Sequence, residues 1–261
     1  MTKLVILGSG AAPGVPSVSG GWGACNPLNP KNKRQRAGVY ITDGKTQILV
    51  DTSPDLKNQL IANNITKLDA VLYTHTHADH LHGIDDLRGI TRNTGKSLNF
   101  YATSPQIAEI KERFAYVFAN MEHKDITNHP ELLPVEIEYG REFCVGSFKL
   151  RPLEFGGHTM VTTGYCFNDG EIVIVPDFKS IPDITLQYLQ QINVNVLIMP
   201  LTILHGGRYH ANIEIILDYA SKIKADRFVL THMATECDYD EVLKMTPENM
   251  EPAFDNMLIE L

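Results

Sequence analysis

The amino-acid sequence predicts an α+β fold, with residues 1–261 forming one domain. Strand-like apolar runs alternate with helical segments along the chain, which is typical of mixed sheets covered by helices. Two turn sequences between apolar runs, Asp43-Gly44 and Asn168-Asp169-Gly170, indicate antiparallel hairpins. No internal repeat, low-complexity tract or linker divides the chain. These observations suit two sheets packed face to face with helices outside.

The first half of the chain is predicted to contain five strands and three helices. Serine followed by proline marks two helix starts, because serine can cap a helix and proline fits its first turn. These starts are Ser53-Pro54 and Ser104-Pro105. The predicted strands are Leu4–Leu7, Gly38–Thr42, Gln47–Asp51, Ala70–Thr74 and Asn99–Ala102, and the helices run from Ser53 to Asn63, from near Gly83, and from Ser104 to Ala119.

The second half is predicted to begin with a polar loop, Asn120–Pro134, and to continue as antiparallel strands. Its last helix has apolar residues on one face, as a helix packed on a sheet requires. The predicted strands are Val135–Glu138, Arg141–Cys144, Ser147–Glu154, Gly164–Phe167, Ile172–Val175, Val194–Met199 and Arg227–Thr231, and the helices are Ile181–Gln191 and Ala211–Lys224.

Charge and cysteine content narrow the class of partner. The chain has 23 basic and 31 acidic residues, a net charge of −8, which argues against DNA or long RNA as the main partner. A small phosphorylated substrate remains compatible, since bound cations would dominate the local field. Four widely spaced cysteines indicate reduced thiols in a cytoplasmic protein, and no apolar run approaches a membrane span. The oligomeric state stays open, with a homodimer as one alternative.

The most specific pattern is His75-Thr76-His77-Ala78-Asp79-His80, directly after the apolar run Ala70–Tyr73. Burying three imidazoles and a carboxylate unpaired would cost several kcal/mol. A divalent cation removes that cost by taking the imidazole nitrogens and the carboxylate oxygen as ligands. His75 and His77 project to the same side of an extended backbone. The pattern therefore predicts a metal site, with Asp79 and His80 available to a second ion.

This motif resembles the metallo-β-lactamase superfamily, and the resemblance extends over nearly the whole chain. It implies a four-layer αββα sandwich and a two-metal hydrolase. It also implies further ligands at three predicted strand ends: His158, Asp177 and His232. Loops at strand ends carry chemistry on a rigid scaffold, which agrees with these positions.

The resemblance implies one ligand set for each of two divalent ions, with Zn or Mn expected. The first ion would bind His75, His77 and His158. The second would bind Asp79, His80 and His232, and Asp177 would be shared. Two ions roughly 3.5–4 Å apart can hold a bridging hydroxide whose pKa falls towards about 7, and this hydroxide would attack phosphorus.

Two residues are expected to be catalytic, Asp79 and His210. In the resembling families a histidine at a helix start contacts the scissile phosphate, as an acid or as an oxyanion stabiliser. His210 directly precedes the predicted helix Ala211–Lys224, and a helix amino terminus also favours an anion.

Within the superfamily, the chain resembles the phosphoribosyl cyclic phosphodiesterase family of phosphonate breakdown. The matching segments are Leu7–Gly10, Gly14–Pro16, His75–His80, Gly83–Arg88, His158, Asp177, His210 and Leu230–His232. The implied function is hydrolysis of a small cyclic or nucleotide-like phosphodiester. Two alternatives use the same superfamily: tRNA 3′ processing, which usually needs a protruding glycine-rich arm, and a role in pyrroloquinoline quinone biosynthesis. The segment Asp51–Leu56 resembles the latter.

One segment departs from the phosphodiesterase family, which carries a structural zinc held by closely spaced cysteines and a late histidine. Here the early segment contains a single cysteine, Cys25. The late segment that begins at His232 contains no second histidine. A single thiolate cannot build a tetrahedral site. We therefore predict no structural zinc and a buried thiol at Cys25.

The sequence leaves several nearby side chains open. Asp51 is either a hydrogen-bond partner of a ligating histidine or a helix-initiating residue. Contact with substrate is undecided for four residues: Arg34, Arg36, His82 and His205. His123 and His129 are expected to be exposed in the polar loop.

Overall fold

The computed structural model describes residues 1–118 and 130–261, so His123 and His129 lie outside the described residues. The strands of the described part, in chain order, are β1 Lys3–Gly8, β2 Gly38–Thr42, β3 Gln47–Val50, β4 Ala70–Leu72, β5 Leu98–Ala102, β6 Leu132–Glu136, β7 Phe143–Val145, β8 Phe148–Phe155, β9 Thr162–Phe167, β10 Ile172–Ile174, β11 Val194–Pro200, β12 Ala225–Thr231, β13 Met250–Pro252 and β14 Met257–Glu260. The α-helices there are α1 Leu56–Ala62, α2 Ala78–Leu81, α3 Leu87–Thr94, α4 Ser104–Arg113, α5 Ala115–Phe118, α6 Asp183–Gln191, α7 Ile213–Ala220 and α8 Tyr239–Met245.

Within residues 1–118 and 130–261 the strands form two sheets of seven. The order is β14-β1-β2-β3-β4-β5-β6 in the first sheet and β13-β12-β11-β10-β9-β8-β7 in the second. In each sheet the strands are antiparallel on one side and parallel on the other, and the change occurs at β3–β4 and at β10–β11. Both predicted hairpins are present, since β2 pairs with β3 and β9 pairs with β10 in antiparallel register.

Three apolar layers hold the sheets and helices together. Alternate residues of each strand face opposite sides of a sheet, so Leu4 and Ile6 lie between the sheets while Leu7 faces the helices. The layer between the sheets includes Tyr165 and Phe167 from the second sheet. One outer layer packs α1, α3 and α4 on the first sheet, and the other packs α6 and α7 on the second. The four-layer αββα sandwich is therefore confirmed.

Several predicted boundaries are wrong. The sequence predicts a loop for the polar stretch before Pro134, but β6 covers part of it and pairs in parallel with β5. The helix expected at Ser53 begins at Leu56, whereas the one expected near Gly83 does begin there, as a 3-10 turn over Ile84–Asp86 that continues into α3 at Leu87. Tertiary pairing and packing decide these ends, because short polar segments carry little periodic signal.

The last predicted helix is also shorter than expected, running over Ile213–Ala220 after the cap Asn212. Helix α8 and strands β13 and β14 follow the region covered by the predicted elements. Strand β14 returns to the first sheet beside β1. Among the described residues, no helix is long and apolar enough to cross a membrane.

Asp255 connects this returning chain end to the loop after β1. Its Oδ1 accepts hydrogen bonds from the backbone N–H and the hydroxyl of Ser9, both at 2.9 Å, and its Oδ2 accepts one from the Gln35 N–H at 2.7 Å. Burial raises the pKa of Asp255 to about 6, although these hydrogen bonds lower it.

Asp255 should therefore make stability depend on pH. Its folded-state pKa is about 6, above the unfolded value of about 3.9. The folded state thus binds more protons between about pH 4 and 6, and its contribution to stability is lost as the pH rises through this window. In the metal-free protein, Asp255→Asn should remove a pH-dependent difference of up to about 3 kcal/mol in the free energy of unfolding.

Urea unfolding of the wild type, Asp255→Asn and the exposed control Asp226→Asn at pH 4 and pH 6.5 measures this difference. The control should follow the wild type. Equal pH dependence in the wild type and Asp255→Asn would contradict the assignment.

Candidate metal centre

The candidate ligands lie beyond strand ends that meet at one edge of the sandwich. His75, His77, Asp79 and His80 follow β4, Asp177 follows β10, and His232 directly follows β12. His158 follows β8, whose carboxyl end lies on the same edge as that of β10 because both pair antiparallel with β9. The two sheets are joined here by hydrogen bonds from the Thr163 N–H to the Thr74 carbonyl and from the Tyr165 hydroxyl to the Tyr73 carbonyl.

A first triad consists of His75, His77 and His158. Nδ1 of His77 lies 3.1 Å from Nε2 of His75 and 3.0 Å from Nε2 of His158. The backbone at His77 is extended, so the two motif histidines converge while Thr76 points away. Gly157 makes the turn before His158 with φ of 73°, where an added Cβ would lie 2.7 Å from the Lys179 Cβ.

A second triad consists of Asp79, His80 and His232, all buried. Oδ2 of Asp79 lies 3.3 Å from Nε2 of His80 and 3.2 Å from Nε2 of His232, and the two nitrogens are 3.2 Å apart. Asp79 and His80 belong to helix α2, a turn inside the motif that the sequence did not predict. This turn brings them to His232, while the His80 ring remains 4.2 Å from the ring of His75 in the first triad.

Asp177 lies between the two triads. Its Oδ2 is 3.4 Å from Nε2 of His232 and 3.9 Å from Nε2 of His80, and a ligand atom of Asp177 also lies within 4.8 Å of those of His75 and His158. The residue is buried. One carboxylate is thus within reach of both triads.

The spacing of these donor atoms fits bound divalent cations. Ligands about 2.0–2.1 Å from a tetrahedral ion lie about 3.3 Å from one another. The three edges of the second triad measure 3.2–3.3 Å, and the two short edges of the first measure 3.0 and 3.1 Å. Imidazole and carboxylate donors suit Zn, Mn, Fe or Ni. These residues could therefore hold divalent metal ions.

Each of the five histidines has its other ring nitrogen held by a neighbouring group, as metal-binding histidines usually do. The partners fix which nitrogen is free to bind: Nε2 in four of the rings and Nδ1 in His77. The pairs are His75 Nδ1 with Thr74 Oγ1 at 3.0 Å, His77 Nε2 with Thr159 Oγ1 at 2.8 Å, His80 Nδ1 with Asp51 Oδ2 at 2.7 Å, His158 Nδ1 with the Tyr209 carbonyl at 2.9 Å and His232 Nδ1 with Thr202 Oγ1 at 3.0 Å.

Asp51 therefore acts as a hydrogen-bond partner of a candidate ligand. Its carboxylate also accepts the Thr74 N–H at 2.8 Å and the Thr74 hydroxyl at 2.7 Å, so one residue orients His80 and the start of the motif. The helix-initiating alternative is wrong, because Asp55 is the residue at the helix cap. Asp51 and His232 both have positive φ, 63° and 55°. Such backbone strain in non-glycine residues is typical of functional sites.

Burial and opposite charges shift the acidity of the second triad in opposing directions. Burial raises the pKa of Asp79, but the charge of His80 and hydrogen bonds with His232 outweigh it and hold the pKa well below its usual range. Burial lowers the pKa of His80, but Asp79 and Asp51 outweigh it and raise the pKa well above its usual value. Without a cation, a proton on His80 balances the carboxylates, so metal binding would release it.

Neutral rings dominate the first triad. Burial lowers the pKa of His75 well below its usual value, and the neighbouring His80 adds to this effect. Burial and His158 also lower the pKa of His77. Imidazoles that stay neutral keep their lone pairs available to a cation.

His210 lies beside the centre but not at a helix start. Helix α7 begins three residues later at Ile213, so the expected contribution from the helix terminus is wrong for this residue. The His210 ring lies 4.7 Å from the His158 ring, and its Nδ1 is 3.2 Å from the Thr202 hydroxyl and 3.7 Å from Asp177 Oδ2. Burial lowers the pKa of His210 to about 4, although Asp177 raises it, so the ring is neutral near pH 7.

The four side chains left open by the sequence lie in three kinds of environment. Arg36 is partly exposed and bidentate on Asp55, with Nε and Nη2 at 2.8 and 2.7 Å. The hydrogen bond with Asp55 raises the pKa of Arg36, and the charge of Asp79 adds to this. Arg34 is instead buried against Asn32, Cys25 and the Ala234 carbonyl. His82 and His205 are exposed.

Helix α4 braces the motif from outside, a role that the sequence did not indicate. Arg113 donates a hydrogen bond to the Thr76 carbonyl at 2.6 Å and pairs with Glu109, which also accepts the Thr76 hydroxyl. One turn earlier, the Gln106 side chain donates to the Thr74 carbonyl at 2.9 Å. The spacing 106, 109 and 113 lies on one helix face, but it resembles an ordinary solvated face in the sequence.

A protein-family model described as "Beta-lactamase superfamily domain" matches residues 46–233. An octanoyltransferase of Porphyromonas gingivalis is 30% identical over 263 aligned positions, which cover 98% of this chain and 51% of the relative. The chain therefore spans about half the length of that relative.

Crystal structures that are similar over almost the whole chain include the following two. A structure described as a new diphosphatase from the PhnP family is 26% identical, with a TM-score of 0.89, and the match covers 100% of this chain and 98% of that one. Zn²⁺-bound PqqB from Methylobacterium extorquens has a TM-score of 0.78 over 99% and 100% of the two chains. Its identity is 18%, so this second likeness concerns the fold alone.

Replacing Asp51 tests its hydrogen bond with His80. Asp51→Asn places an amide where an acceptor is needed, so the affinity for Zn²⁺ should fall roughly 10- to 100-fold. Competition with a chelator of known affinity measures the change. Asp226→Asn, an exposed change of the same kind, should leave the affinity as in the wild type. Equal affinity in all three proteins would contradict the role of Asp51.

If the contact between α4 and the motif supports the metal centre, Arg113→Met and Lys111→Met should differ in their effect on Zn²⁺ affinity. Arg113→Met removes the donor to Thr76 and should weaken binding of one Zn²⁺ equivalent by roughly tenfold, since partners outside the ligands tune affinity. Lys111→Met removes the same charge from an exposed position of α4 and should have no effect. Two-site titrations monitored by calorimetry would reveal the difference, and matching isotherms would refute it.

Proposed function

Since this chain belongs to the beta-lactamase superfamily and has the metallo-β-lactamase fold of its hydrolases, we propose that it is a two-metal phosphodiesterase. Its substrate would be a small cyclic or nucleotide-like phosphodiester. The observation that carries the proposal is the pair of triads joined by Asp177. One such triad would suffice for a single ion, whereas a shared carboxylate is typical of a centre for two.

Two divalent cations, when bound, would neutralise charge on phosphoryl oxygens and lower the pKa of a water that they share. The first triad, the second triad and Asp177 would hold these cations. Asp79 would be the carboxylate ligand of the second cation, and Asp51 and Thr74 would keep His80 and His75 in their binding tautomers.

His210 is proposed to stabilise the substrate as a neutral hydrogen-bond donor. A pKa lowered to about 4 leaves little imidazolium near pH 7, so the alternative role of general acid receives less support. A neutral N–H can still donate to an oxygen on which negative charge develops. Its place beside His158 and Asp177 supports contact with a phosphoryl oxygen at the centre.

Charge near the centre supports a small anionic substrate rather than a long polyanion. Arg36 is partly exposed and lies close enough to Asp79 for that charge to raise its pKa. The net charge of −8 opposes binding of DNA or long RNA. A gel shift with precursor tRNA serves as the test of tRNA processing.

The relatives support phosphorus chemistry to different degrees. The likeness to a diphosphatase of the PhnP family supports attack on phosphorus and adds a phosphoanhydride to the substrates worth testing. The octanoyltransferase contains about as much chain outside the aligned part as within it, so we do not extend octanoyl transfer to this chain. The likeness to PqqB leaves a role in pyrroloquinoline quinone biosynthesis as an alternative.

His77→Ala should abolish hydrolysis of bis(p-nitrophenyl) phosphate by protein supplied with Mn²⁺ or Zn²⁺, because it removes a ligand shared by both short edges of the first triad. The absorbance of released p-nitrophenolate at 405 nm measures the rate. A substrate concentration of about 1 mM lies within the usual range of KM values.

His82→Ala is the matched control, since His82 is an exposed histidine five residues away. It should keep wild-type activity. A fully metallated wild type that cleaves neither this diester, nor a cyclic phosphodiester, nor a dinucleoside diphosphate would overturn the proposal.

A further inference from the structure

Thr202 joins a candidate metal ligand to the proposed substrate-binding histidine. Its Oγ1 lies 3.0 Å from Nδ1 of His232 and 3.2 Å from Nδ1 of His210. The residue follows β11 and is buried, and the Ala234 N–H donates to its carbonyl at 3.2 Å. One hydroxyl thus faces two imidazole nitrogens in a fixed position.

The direction of the first hydrogen bond follows from the role of His232. This ring offers Nε2 to the second triad, where it lies 3.2 Å from both Asp79 Oδ2 and His80 Nε2. A neutral imidazole that binds a cation through Nε2 carries its proton on Nδ1. His232 therefore donates to Thr202 Oγ1, as the other candidate ligands donate to their own partners.

The direction of the second hydrogen bond follows from the first. The Thr202 hydroxyl has one hydrogen, and the described residues offer it one remaining acceptor, Nδ1 of His210. If His210 also donated, the buried hydroxyl hydrogen would have no acceptor among them. Asp177 Oδ2, 3.7 Å from the same nitrogen, is too far away to replace Thr202.

We propose that Thr202 is a positioning residue that fixes the tautomer of His210 from the metal ligand His232. His210 then accepts at Nδ1 and carries its proton on Nε2. The His210 side chain is 28% exposed, and within the described residues its Nε2 makes no hydrogen bond, so this N–H is available to an acceptor on a bound substrate. The inference rests on the proposed function, in which the substrate is an anionic phosphodiester.

This tautomer gives His210 an N–H donor at Nε2 for the proposed anionic substrate. With the proton on Nε2, His210 stabilises negative charge that develops on a phosphoryl or leaving oxygen. With the proton on Nδ1, the same position would present a lone pair and repel that oxygen. The Thr202 hydroxyl thereby couples occupation of the second triad to the recognition of substrate, through two hydrogen bonds.

Three variants separate this role from general stability. Thr202→Val removes the hydroxyl while retaining a branched side chain, and Thr202→Ser restores the hydroxyl. Thr231→Val is the matched control, because Thr231 is also buried beside His232 but its hydroxyl has no hydrogen-bond partner among the described residues. Thermal unfolding and metal content are measured for each variant.

Long-range ¹H–¹⁵N NMR of the Zn²⁺-loaded protein labelled at histidine reports the tautomer directly, with His210→Gln identifying the resonance. We expect the Nε2–H form of His210 in the wild type, Thr202→Ser and Thr231→Val, and a mixture in Thr202→Val. An Nδ1–H form in the wild type, or an unchanged tautomer in Thr202→Val, would overturn the inference. The wild-type spectrum decides even if Thr202→Val fails to fold.

Kinetics with bis(p-nitrophenyl) phosphate provide the second measurement. Thr202→Val should lower kcat roughly 10- to 100-fold, and Thr202→Ser should restore most of it. A fall in rate caused only by loss of metal would contradict the assigned role. If the wild type hydrolyses no phosphodiester, the proposed function fails while the NMR measurement still decides the tautomer, so the two failures are distinguishable.

Discussion

The convergence of nitrogen lone pairs and carboxylate oxygens at one edge of the sandwich is the interaction on which the site depends. Five imidazoles and two aspartates are brought together, most of them buried. Neutral rings that point lone pairs at one another, and carboxylates without enough donors, are unfavourable in a dry interior. A cation in each triad would turn this repulsion into coordination, and without one a proton on His80 compensates for part of it.

The two sheets create this convergence by ending their strands at a common edge. β4 supplies the motif from one sheet, while β8, β10 and β12 supply one residue each from the other. Rigid strands fix where each loop starts, and groups outside the ligands fix how each ring is turned. Asp51, Thr202 and the contacts from α4 therefore all help to hold the candidate ligands in place, although the sequence assigned none of them a definite role.

Prediction from the sequence was accurate where a signal is local and strong. The apolar strands and both hairpin turns agree with the structure, and the αββα layers agree with what the family resemblance implied. It was inaccurate where contacts with distant segments decide the secondary structure. Most of β6 was predicted to be a loop, and α7 was predicted to begin at Ala211, directly after His210. The structure brings together all seven expected ligands, whereas their occupation by metal remains a prediction.

The sequence by itself determined the chemistry available to this protein, because His75, His77, Asp79 and His80 are close along the chain and their spacing restricts what they can bind. Only the tertiary structure decided which nitrogen each ring offers, and that Thr202 stands between His232 and His210. Hydrogen-bond direction depends on partners that are distant in sequence. No local pattern encodes it, so it emerges when the strands of both sheets meet.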